Sequence, residues 1–515
     1  MERTEGVNGR DTYYITTAID YANGPPHMGH ALEKIGADAM SRYHRLKGED
    51  VHFVIGLDEH GLKVLQSADA AGISPQEWID DIAGQFRAVW TELGIGNDDF
   101  IRTTQPRHRR AVEAMIERLH AAGDLYRGTY AGYYCVGCEA FKREDELIVA
   151  AGDEPGSGLR CPIHPAREVV WMEEENWFFR LSRYQEPLLR LLEERPDFVQ
   201  PEIRRNEVRR VIEDGLEDIS VSRRQPWGIP WPGEPDQTVY VWIDALTNYL
   251  SAIGFPDPDY ERWWPAAVHV VGKDITRFHC IIWPAMLMSA GIEVPRSVWA
   301  HGFLLYEGRK ISKSEGVWID LGEAIARHGA DALRYYLLRD MPWNGDGDFS
   351  WRRFDERYTA ELANDLGNLA NRTLSMIERY RDAIIPAGAP TALDQRIAQA
   401  LAQYRDAMDA NLLHNGATTA LELAAAANGF VGERAPWQQA REPAQADALD
   451  ATLASLARCI ATLATMLEPF MPRKMAELLS RLGLDAVPSL AALDSLDLAG
   501  RHVTRGAVLF PRDTQ

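Results

Sequence analysis

The sequence predicts an α/β protein in which a parallel sheet is interrupted by an inserted module and followed by an α-helical bundle. Three observations support this prediction. A strand–helix–strand pattern fills the first 60 residues, short irregular pieces with cysteines and Gly-rich turns fill the region that follows residue 126, and helical periodicity dominates from about Arg352 onward. With 515 residues, the chain is long enough for about three domains of roughly 150 residues each.

The first segment predicts a βαβ unit. Residues 13–19 are β-branched and aromatic, which indicates a buried strand, and residues 23–26 form an Asn-Gly-Pro-Pro turn. A helical pattern runs from about His27 to Leu46, and residues 51–56 indicate a second strand. A βαβ unit implies a Rossmann-like nucleotide-binding domain with its site at the carboxyl edge of a parallel sheet.

The remaining segments complete the predicted architecture. Strand-like runs at 238–243 and 268–272 indicate that the sheet resumes after the insertion. In the bundle, Leu, Ala and Ile recur at helical spacing in 362–377, 397–412 and 451–467. We therefore divide the chain into four segments: a first Rossmann half at 11–126, an insertion at 127–235, a second Rossmann half at 236–351, and a helical domain at 352–515.

Charge and hydropathy limit the classes to which this protein can belong. With 55 Lys plus Arg against 76 Asp plus Glu, the net charge of −21 excludes a uniformly basic nucleic-acid coat, although a local basic patch is still compatible with a nucleic-acid partner. No run of 18 uninterrupted apolar residues and no apolar signal core are found, so we expect a cytoplasmic chain with no membrane association. Cysteines of such a chain are thiols or metal ligands.

The first chemical motif opens the first predicted helix. His27 and His30 are three residues apart on one helical face, beside free backbone N–H groups and the positive end of the helix dipole. This arrangement attracts phosphate, and Gly29 leaves room for a base or ribose to approach the backbone. The alternative is that the two histidines only cap and pack the helix.

The second motif is the Gly-flanked polar run 308–316. It carries Lys310 and Lys313 in a chain that otherwise uses Arg far more often than Lys, and two compact ammonium groups suit a loop that closes on a polyphosphate. A solvated charge cluster is the alternative.

The insertion contains a candidate metal site. Two half-sites, each with ligands three positions apart, are separated by 22 residues; the ligands are Cys135, Cys138, Cys161 and His164. Three thiolates and one imidazole suit a single tetrahedral Zn²⁺ ion with a structural role. Disulfide pairing is the rival interpretation, and the absence of a secretory signal argues against it. Cys280 and Cys459 lack such partners and are predicted to be small core residues.

Taken together and in this order, residues 27–30 and 310–314 resemble the HIGH and KMSKS signatures of class I aminoacyl-tRNA synthetases. Segments 18–27, 58–61, 240–246 and 272–284 narrow the resemblance to the methionyl-tRNA synthetases, over about residues 13–512. At position 57 this chain has Leu where the family often has Thr, and at position 28 it has Met where the family often has Ile. Leu57 lies beside the key residue Asp58, and Met28 is an apolar exchange for Ile.

The resemblance implies a set of ATP-binding residues. His27 and His30 would stabilise the α-phosphate in the transition state, while Lys310 and Lys313 would draw charge toward the leaving pyrophosphate. Mg²⁺ is expected on the phosphates of ATP. The residues implied to bind ATP are His27, Gly29, His30, Lys273, Asp274, Lys310, Ser312, Lys313 and Ser314.

The resemblance also implies a methionine site and an anticodon site. Asp58 would hold the substrate ammonium, within a methionine-binding set of Ile19, Tyr21, Asp58, Trp242, Ala245, Leu246, Tyr249, Ile275, His279 and Trp283. An aromatic-lined slot suits a flexible thioether through contacts worth roughly 0.3–1.5 kcal/mol each. The anticodon would be read by Asn368, Arg372 and Trp437. Any of these taken alone is also compatible with ordinary core or helix packing.

The implied reaction is methionine activation by ATP followed by transfer to the 3′ end of tRNA(Met), including the initiator tRNA, by a monomer without an appended dimerising domain. Two alternatives stay open. A class I synthetase for leucine, isoleucine or valine would need a large editing insertion for which 515 residues leave no room, and the wide aromatic pocket suits cysteine poorly. A catalytically idle tRNA-binding protein is disfavoured by the intact His27, His30, Lys310 and Lys313.

Overall fold

The computed structural model describes residues 11–136, 140–142, 144–149, 158–311 and 318–512. The first half of the α/β domain begins with a fully buried strand, as its β-branched sequence predicts. Its elements are β1 (Thr12–Thr17), β2 (Asp20–Tyr21), α1 (Met28–Lys47), β3 (Asp50–Asp58), α2 (Leu62–Ala71), α3 (Pro75–Leu93), β4 (Asp99–Arg102) and α4 (Pro106–Ala121). Helix α1 ends at Gly48, whose φ of 89° favours glycine over other residues. The predicted βαβ unit is confirmed.

Short strands and two helices follow. They are β5 (Leu125–Cys135), β6 (Ala140–Lys142), β7 (Arg160–Cys161), β8 (His164–Glu168), β9 (Val170–Phe179), α5 (Gln185–Glu194), β10 (Val199–Gln200), α6 (Glu202–Glu213), β11 (Ile219–Ser220), β12 (Ser222–Arg223), β13 (Pro230–Trp231) and β14 (Glu234–Val239). Strands β5 and β9 form a long antiparallel ribbon, and β14 pairs antiparallel with β12 and β13. Strand β10 instead joins the parallel sheet, because it pairs with a later strand at residues 298–299.

The second half of the α/β domain contains α7 (Val241–Ser251), β15 (Ala267–Gly272), a π-helical turn (Phe278–Ile282), α8 (Trp283–Ser289), β16 (Ser297–His301), β17 (Leu304–Tyr306), β18 (Arg309–Lys310), α9 (Leu321–His328), α10 (Ala330–Asp340) and β19 (Gly347–Phe349). The predicted strand at 268–272 is confirmed as β15. The strand predicted at 238–243 is wrong, because β14 ends at Val239 and the chain enters α7 at Val241. Residues 239–243 are a short apolar run, and such a run does not distinguish a strand from the start of a buried helix.

The parallel sheet places the ends of β1, β2, β3, β15 and β16 at one edge. Its strand order is β10-β16-β15-β1-β3-β2, with β4 also on β3, and every described pairing is parallel. One face packs against α1, α3 and α10, and the other packs against α4, α7 and α8. Such a doubly covered parallel sheet binds ligands outside the carboxyl ends of its strands.

The last part of the chain is helical, as predicted. It contains α11 (Trp351–Arg357), a π-helical stretch (Tyr358–Gly367), α12 (Asn368–Arg381), α13 (Ala392–Asp409), α14 (Leu413–Arg434), α15 (Pro436–Gln439), α16 (Ala446–Leu467), α17 (Pro472–Arg481) and α18 (Leu490–Leu493). Its core is continuous with the α1 face of the sheet. By length and composition alone, the segment Pro443–Leu467 could cross a membrane, but 83% of its most apolar stretch is buried inside the fold, as in the central helix of a bundle.

Candidate active site

Two stacked histidines open helix α1 at the carboxyl edge of the sheet. The Nδ1 atom of His27 accepts hydrogen bonds from the backbone N–H groups of Gly29 (3.1 Å) and His30 (3.4 Å), and Nδ1 of His30 accepts from the N–H of His27 (3.4 Å). The two rings lie 3.5 Å apart at 18°. A Cβ atom at Gly29 would lie 3.1 Å from the His27 ring, so a larger residue would crowd this pair.

This geometry selects one protonation state for both rings. A nitrogen that accepts a hydrogen bond carries no hydrogen, so each neutral imidazole carries its hydrogen on Nε2. Desolvation holds the pKa of His30 well below its usual range, helped by the charges of His27 and Lys34. The pair therefore presents two neutral N–H donors beside the helix N-terminus, which suits a phosphate oxygen.

An aromatic cluster lies on the α7 face of the sheet. The ring of Trp242 stacks on Phe278 at 3.6 Å and 5°, and it meets His279 edge-on at 6.4 Å. Ala245, Leu246, Tyr249, His279 and Trp283 are buried, while Ile275 and Trp242 are half-buried. The structure thus brings the predicted methionine residues of α7, the π-helical turn and α8 together.

Hydrogen bonds fix the orientation of these rings. Nδ1 of His279 donates to the carbonyl of Ile275 (3.0 Å), so its Nε2 accepts from the hydroxyl of Tyr249 (2.6 Å). The indole N–H of Trp283 donates to Nε2 of His269 (3.2 Å). Desolvation lowers the pKa of His279 to about 4 and that of His269 well below its usual range, which keeps both imidazoles neutral. In the sequence, no local pattern distinguishes His269 from the other buried residues of β15.

The predicted ammonium-binding carboxylate lies at the end of β3. Asp58 is the register partner of Tyr21 across β2 and β3, so the two side chains leave the sheet side by side. Asp58 is buried, and Tyr21 and Ile19 are half-buried. These three residues therefore lie at the same carboxyl edge that carries the histidine pair.

A buried carboxylate that the sequence analysis missed links this edge to α7. Asp244 accepts from Nδ1 of His60 (2.7 Å) and from Nε2 of His108 (2.6 Å). Although desolvation opposes ionisation, these two histidines lower the pKa of Asp244 to about 2. The interaction ties the residues that follow Asp58 to the helix that carries the aromatic cluster. His60 and Asp244 lie 184 residues apart in the chain, and only the fold shows that they meet.

Two predicted ATP-binding residues follow β15. The ammonium of Lys273 bonds both carboxylate oxygens of Asp346 (2.8 and 2.7 Å) and lies 4.5 Å from the Phe303 ring centre. Asp274 is exposed. Of the lysine motif, only the backbone of Lys310 is described, at the end of β18. Ser312, Lys313 and Ser314 lie outside the described residues.

Three of the four predicted metal ligands meet in the insertion. The ligand atoms of Cys135, Cys161 and His164 all lie within 4.8 Å of one another, with 3.9 Å between the Cys135 sulfur and His164 Nδ1. Both cysteines are free thiols and buried. Soft sulfur and imidazole donors at this spacing fit a tetrahedral Zn²⁺ ion and leave one corner for a further ligand. The fourth predicted ligand, Cys138, lies outside the described residues.

The predicted anticodon residues converge on one side of the bundle. The Arg372 guanidinium on α12 lies 6.0 Å from the ring centre of Trp437 on α15, and 38% of Trp437 is exposed. Asn368, one helical turn before Arg372, is also exposed. A half-exposed indole beside a guanidinium and an amide offers one stacking surface and several hydrogen-bonding groups to an unpaired base.

Comparison with known proteins identifies the class first. The model of the family "tRNA synthetases class I (M)" matches residues 13–374, and the model "Anticodon binding domain of methionyl tRNA ligase" matches residues 385–514. The fold is therefore that of a class I aminoacyl-tRNA synthetase.

Individual relatives identify the family. The methionine–tRNA ligase of Thermotoga maritima is 42% identical over 97% of this chain and 80% of that relative, and the Brucella suis enzyme is 45% identical over 93% of each. The Mycobacterium tuberculosis methionyl-tRNA synthetase in complex with methionyl-adenylate has a TM-score of 0.92 at 39% identity, over 97% of this chain and 100% of that one. The chain belongs to the methionyl-tRNA synthetase family.

Proposed function

We propose that this protein is a methionine–tRNA ligase that forms methionyl-adenylate from L-methionine and ATP and then transfers methionine to the 3′ end of tRNA(Met). The juxtaposition of the histidine pair, the Asp58 carboxylate and the aromatic cluster at one sheet edge supports this most strongly. The histidine pair suits a phosphate, the Asp58 carboxylate suits an ammonium, and the aromatic cluster suits a thioether.

In the activation step, a methionine carboxylate oxygen bonds the α-phosphorus of ATP while the bond to the pyrophosphate oxygen breaks. No protein nucleophile is needed, so catalysis consists of positioning and charge stabilisation. Asp58 orients the ammonium, and the cluster of Trp242, Tyr249 and Trp283 orients the side chain. The Nε2–H groups of His27 and His30 donate to the oxygens on which negative charge grows.

The remaining groups act on the leaving pyrophosphate and the nucleoside. Lys310 and Lys313 are proposed to neutralise the pyrophosphate, with Ser312 and Ser314 in the same loop and Gly29, Lys273 and Asp274 against the rest of ATP. Lys273 is proposed to divide its three ammonium hydrogens between Asp346 and a group of ATP. Mg²⁺ bound to the phosphates would supply further charge neutralisation. We place this chemistry in segments 11–126 and 236–351.

ATP–pyrophosphate exchange with a panel of amino acids tests the substrate. Methionine is expected to support exchange, while leucine, isoleucine, valine and cysteine support little, because a slot of stacked aromatic rings rewards a long unbranched thioether. Exchange with another panel member and none with methionine would refute the assignment. An absence of exchange with every amino acid, together with tRNA binding, would establish the idle tRNA-binding alternative.

The metal site gives a second prediction. Purified protein is expected to contain one zinc ion per chain by elemental analysis, and Cys161→Ser is expected to lose it, since thiolates dominate the donor set. Cys280→Ser changes a buried cysteine of the π-helical turn, outside the candidate ligand set, and serves as the matched control. Zinc-free wild-type protein prepared without chelators would contradict the prediction. The ion would stiffen the segment 127–235 and take no part in the chemistry.

The bundle at 352–515 is proposed to read the anticodon of tRNA(Met), initiator included, through Asn368, Arg372 and Trp437. Splayed single-stranded bases are recognised by stacking and by their exposed edges, which suits this group. We further propose that the protein acts in the cytoplasm as a monomer. A tight dimer in a sizing measurement would refute the monomeric state.

A further inference from the structure

A fully buried lysine connects the methionine segment of the sheet with the helix of the histidine pair. Lys34 lies on α1, one helical turn after His30, and its side chain is 0% exposed. Its ammonium donates to the Asp20 carboxylate (2.6 Å), to the Glu33 carboxylate (2.9 Å) and to the carbonyl of Ala18 (2.9 Å). All three hydrogens of the ammonium are therefore used.

The two carboxylates that share this lysine are not equivalent. The second oxygen of Glu33 bonds Nε2 of His301 (3.1 Å) at the end of β16. Although desolvation raises the pKa of Glu33, the charges of Lys34 and His301 outweigh it, so the pKa is lowered overall. Glu33 is therefore the permanent counterion of Lys34.

Asp20 differs because one of its oxygens has no hydrogen bond. Oδ1 accepts from Lys34, whereas Oδ2 is buried and has no partner among the described residues. Desolvation, opposed by Lys34 and reinforced by the negative charge of Glu33, raises the pKa of Asp20 to about 7. A proton on Oδ2 would leave the bond from Lys34 to Oδ1 in place and remove the cost of a buried negative charge that Oδ2 does not pair with any described residue.

The position of Asp20 makes this proton relevant to the substrate. Asp20 lies between the predicted methionine residues Ile19 and Tyr21, and β2 aligns it with Leu57, the neighbour of Asp58. The charged and titratable groups around it are Lys34 and Glu33 on α1, with His30 beyond Lys34 and His301 beyond Glu33.

We propose that Asp20 and Lys34 are positioning residues that hold segment 18–21 of the methionine site against helix α1, and that this hold loosens when Asp20 loses its proton. This role of Asp20 rests on the proposed function, because the proton on Asp20 would control the binding of methionine. Neither residue needs to touch the substrate: they act through the neighbouring Ile19, Tyr21 and His30.

Asp20→Asn is the direct test, because it keeps the shape and the acceptor but cannot ionise. For the wild type, kcat/KM for methionine in the exchange reaction is expected to fall with pH through a step near 7. Asp20→Asn is expected to lack this step and, at pH 8, to lower the KM for methionine roughly fivefold with kcat nearly unchanged, because it cannot acquire the buried negative charge.

Two further variants separate this role from a general structural one. Glu33→Gln removes a charge that raises the pKa of Asp20, so the step is expected to remain and to move to lower pH. Asp50→Asn makes the same chemical change at the opposite end of the sheet, in an exposed ion pair with Arg262, and is expected to leave both the KM and the step unchanged.

Stability measurements test the proton without reference to activity. Because the folded pKa of Asp20 lies above its unfolded value, the folded state binds the proton more tightly, and this group's contribution to stability falls as pH rises from about 4 to 7. In denaturant unfolding, Asp20→Asn should gain stability relative to the wild type over that interval. A constant difference, or an unchanged pH step in the variant, overturns the proposal. Absence of methionine-dependent exchange in the wild type would instead refute the proposed function.

Discussion

Replacing His30 by alanine is expected to lower kcat for methionine-dependent ATP–pyrophosphate exchange by about 10²–10³-fold, the usual loss when one preorganised donor to a developing charge is removed. Its Nε2–H is fixed by the bond that Nδ1 accepts from the backbone of His27 and by stacking on the His27 ring. The KM for methionine should change little, because the donor acts on the phosphate in the transition state. Steady-state exchange kinetics with varied methionine measure both constants.

The choice of His30 over His27 makes this result interpretable. His27 accepts hydrogen bonds from two backbone N–H groups of the first turn of α1 whereas His30 accepts one, so the loss of His27 would destabilise the helix more. His120→Ala, which removes an exposed histidine from the end of α4, is the matched control and should leave exchange intact. A His30→Ala enzyme with wild-type kcat would contradict the transition-state role of the pair.

Replacing Trp437 by alanine is expected to raise the KM for tRNA(Met) in aminoacylation by about 5- to 150-fold, from the roughly 1–3 kcal/mol that base stacking on an aromatic residue contributes. Pyrophosphate exchange without tRNA should be unchanged, because Trp437 lies on α15 of the bundle and not at the sheet edge. Aminoacylation with varied tRNA concentration measures the KM for tRNA(Met), and pyrophosphate exchange measures the activation rate.

Tyr380→Ala is a suitable control for the loss of an aromatic ring from the same bundle. Tyr380 is half-buried on α12, and Arg379 lies 5.7 Å from its ring centre, much as Arg372 lies near Trp437. Equal aminoacylation kinetics for wild type and Trp437→Ala would contradict the anticodon assignment. A loss of exchange activity in Trp437→Ala would show that the change damages the fold instead.

The sequence predicted those elements whose residue pattern has one structural solution. The β-branched run of β1, the helix that begins after His27 and ends at Gly48, and the periodic helices of the bundle all form as expected. The strand expected at 238–243 failed, since this short apolar run fits a buried strand as well as the first turn of a buried helix.

The site was predictable where a motif joins neighbours in the chain and unpredictable where the fold joins distant residues. His27 and His30 are three residues apart, so their stacking follows from the helix. Asp244 and His108 are 136 residues apart, and no local pattern indicates that one carboxylate serves two histidines. The buried Lys34 was equally hidden, because a lysine on a helix is ordinarily solvated.

The charging of tRNA(Met) with methionine tests the central claim most directly. Purified protein is incubated with ATP, Mg²⁺, a tRNA(Met) transcript and radiolabelled methionine, with a leucine tRNA transcript and labelled leucine in parallel. Methionine is expected to be esterified to tRNA(Met) in near-stoichiometric amount, with none on the leucine tRNA. Charging with leucine, or binding of tRNA(Met) without esterification, would contradict the assignment of the histidine pair and the aromatic cluster to methionine activation.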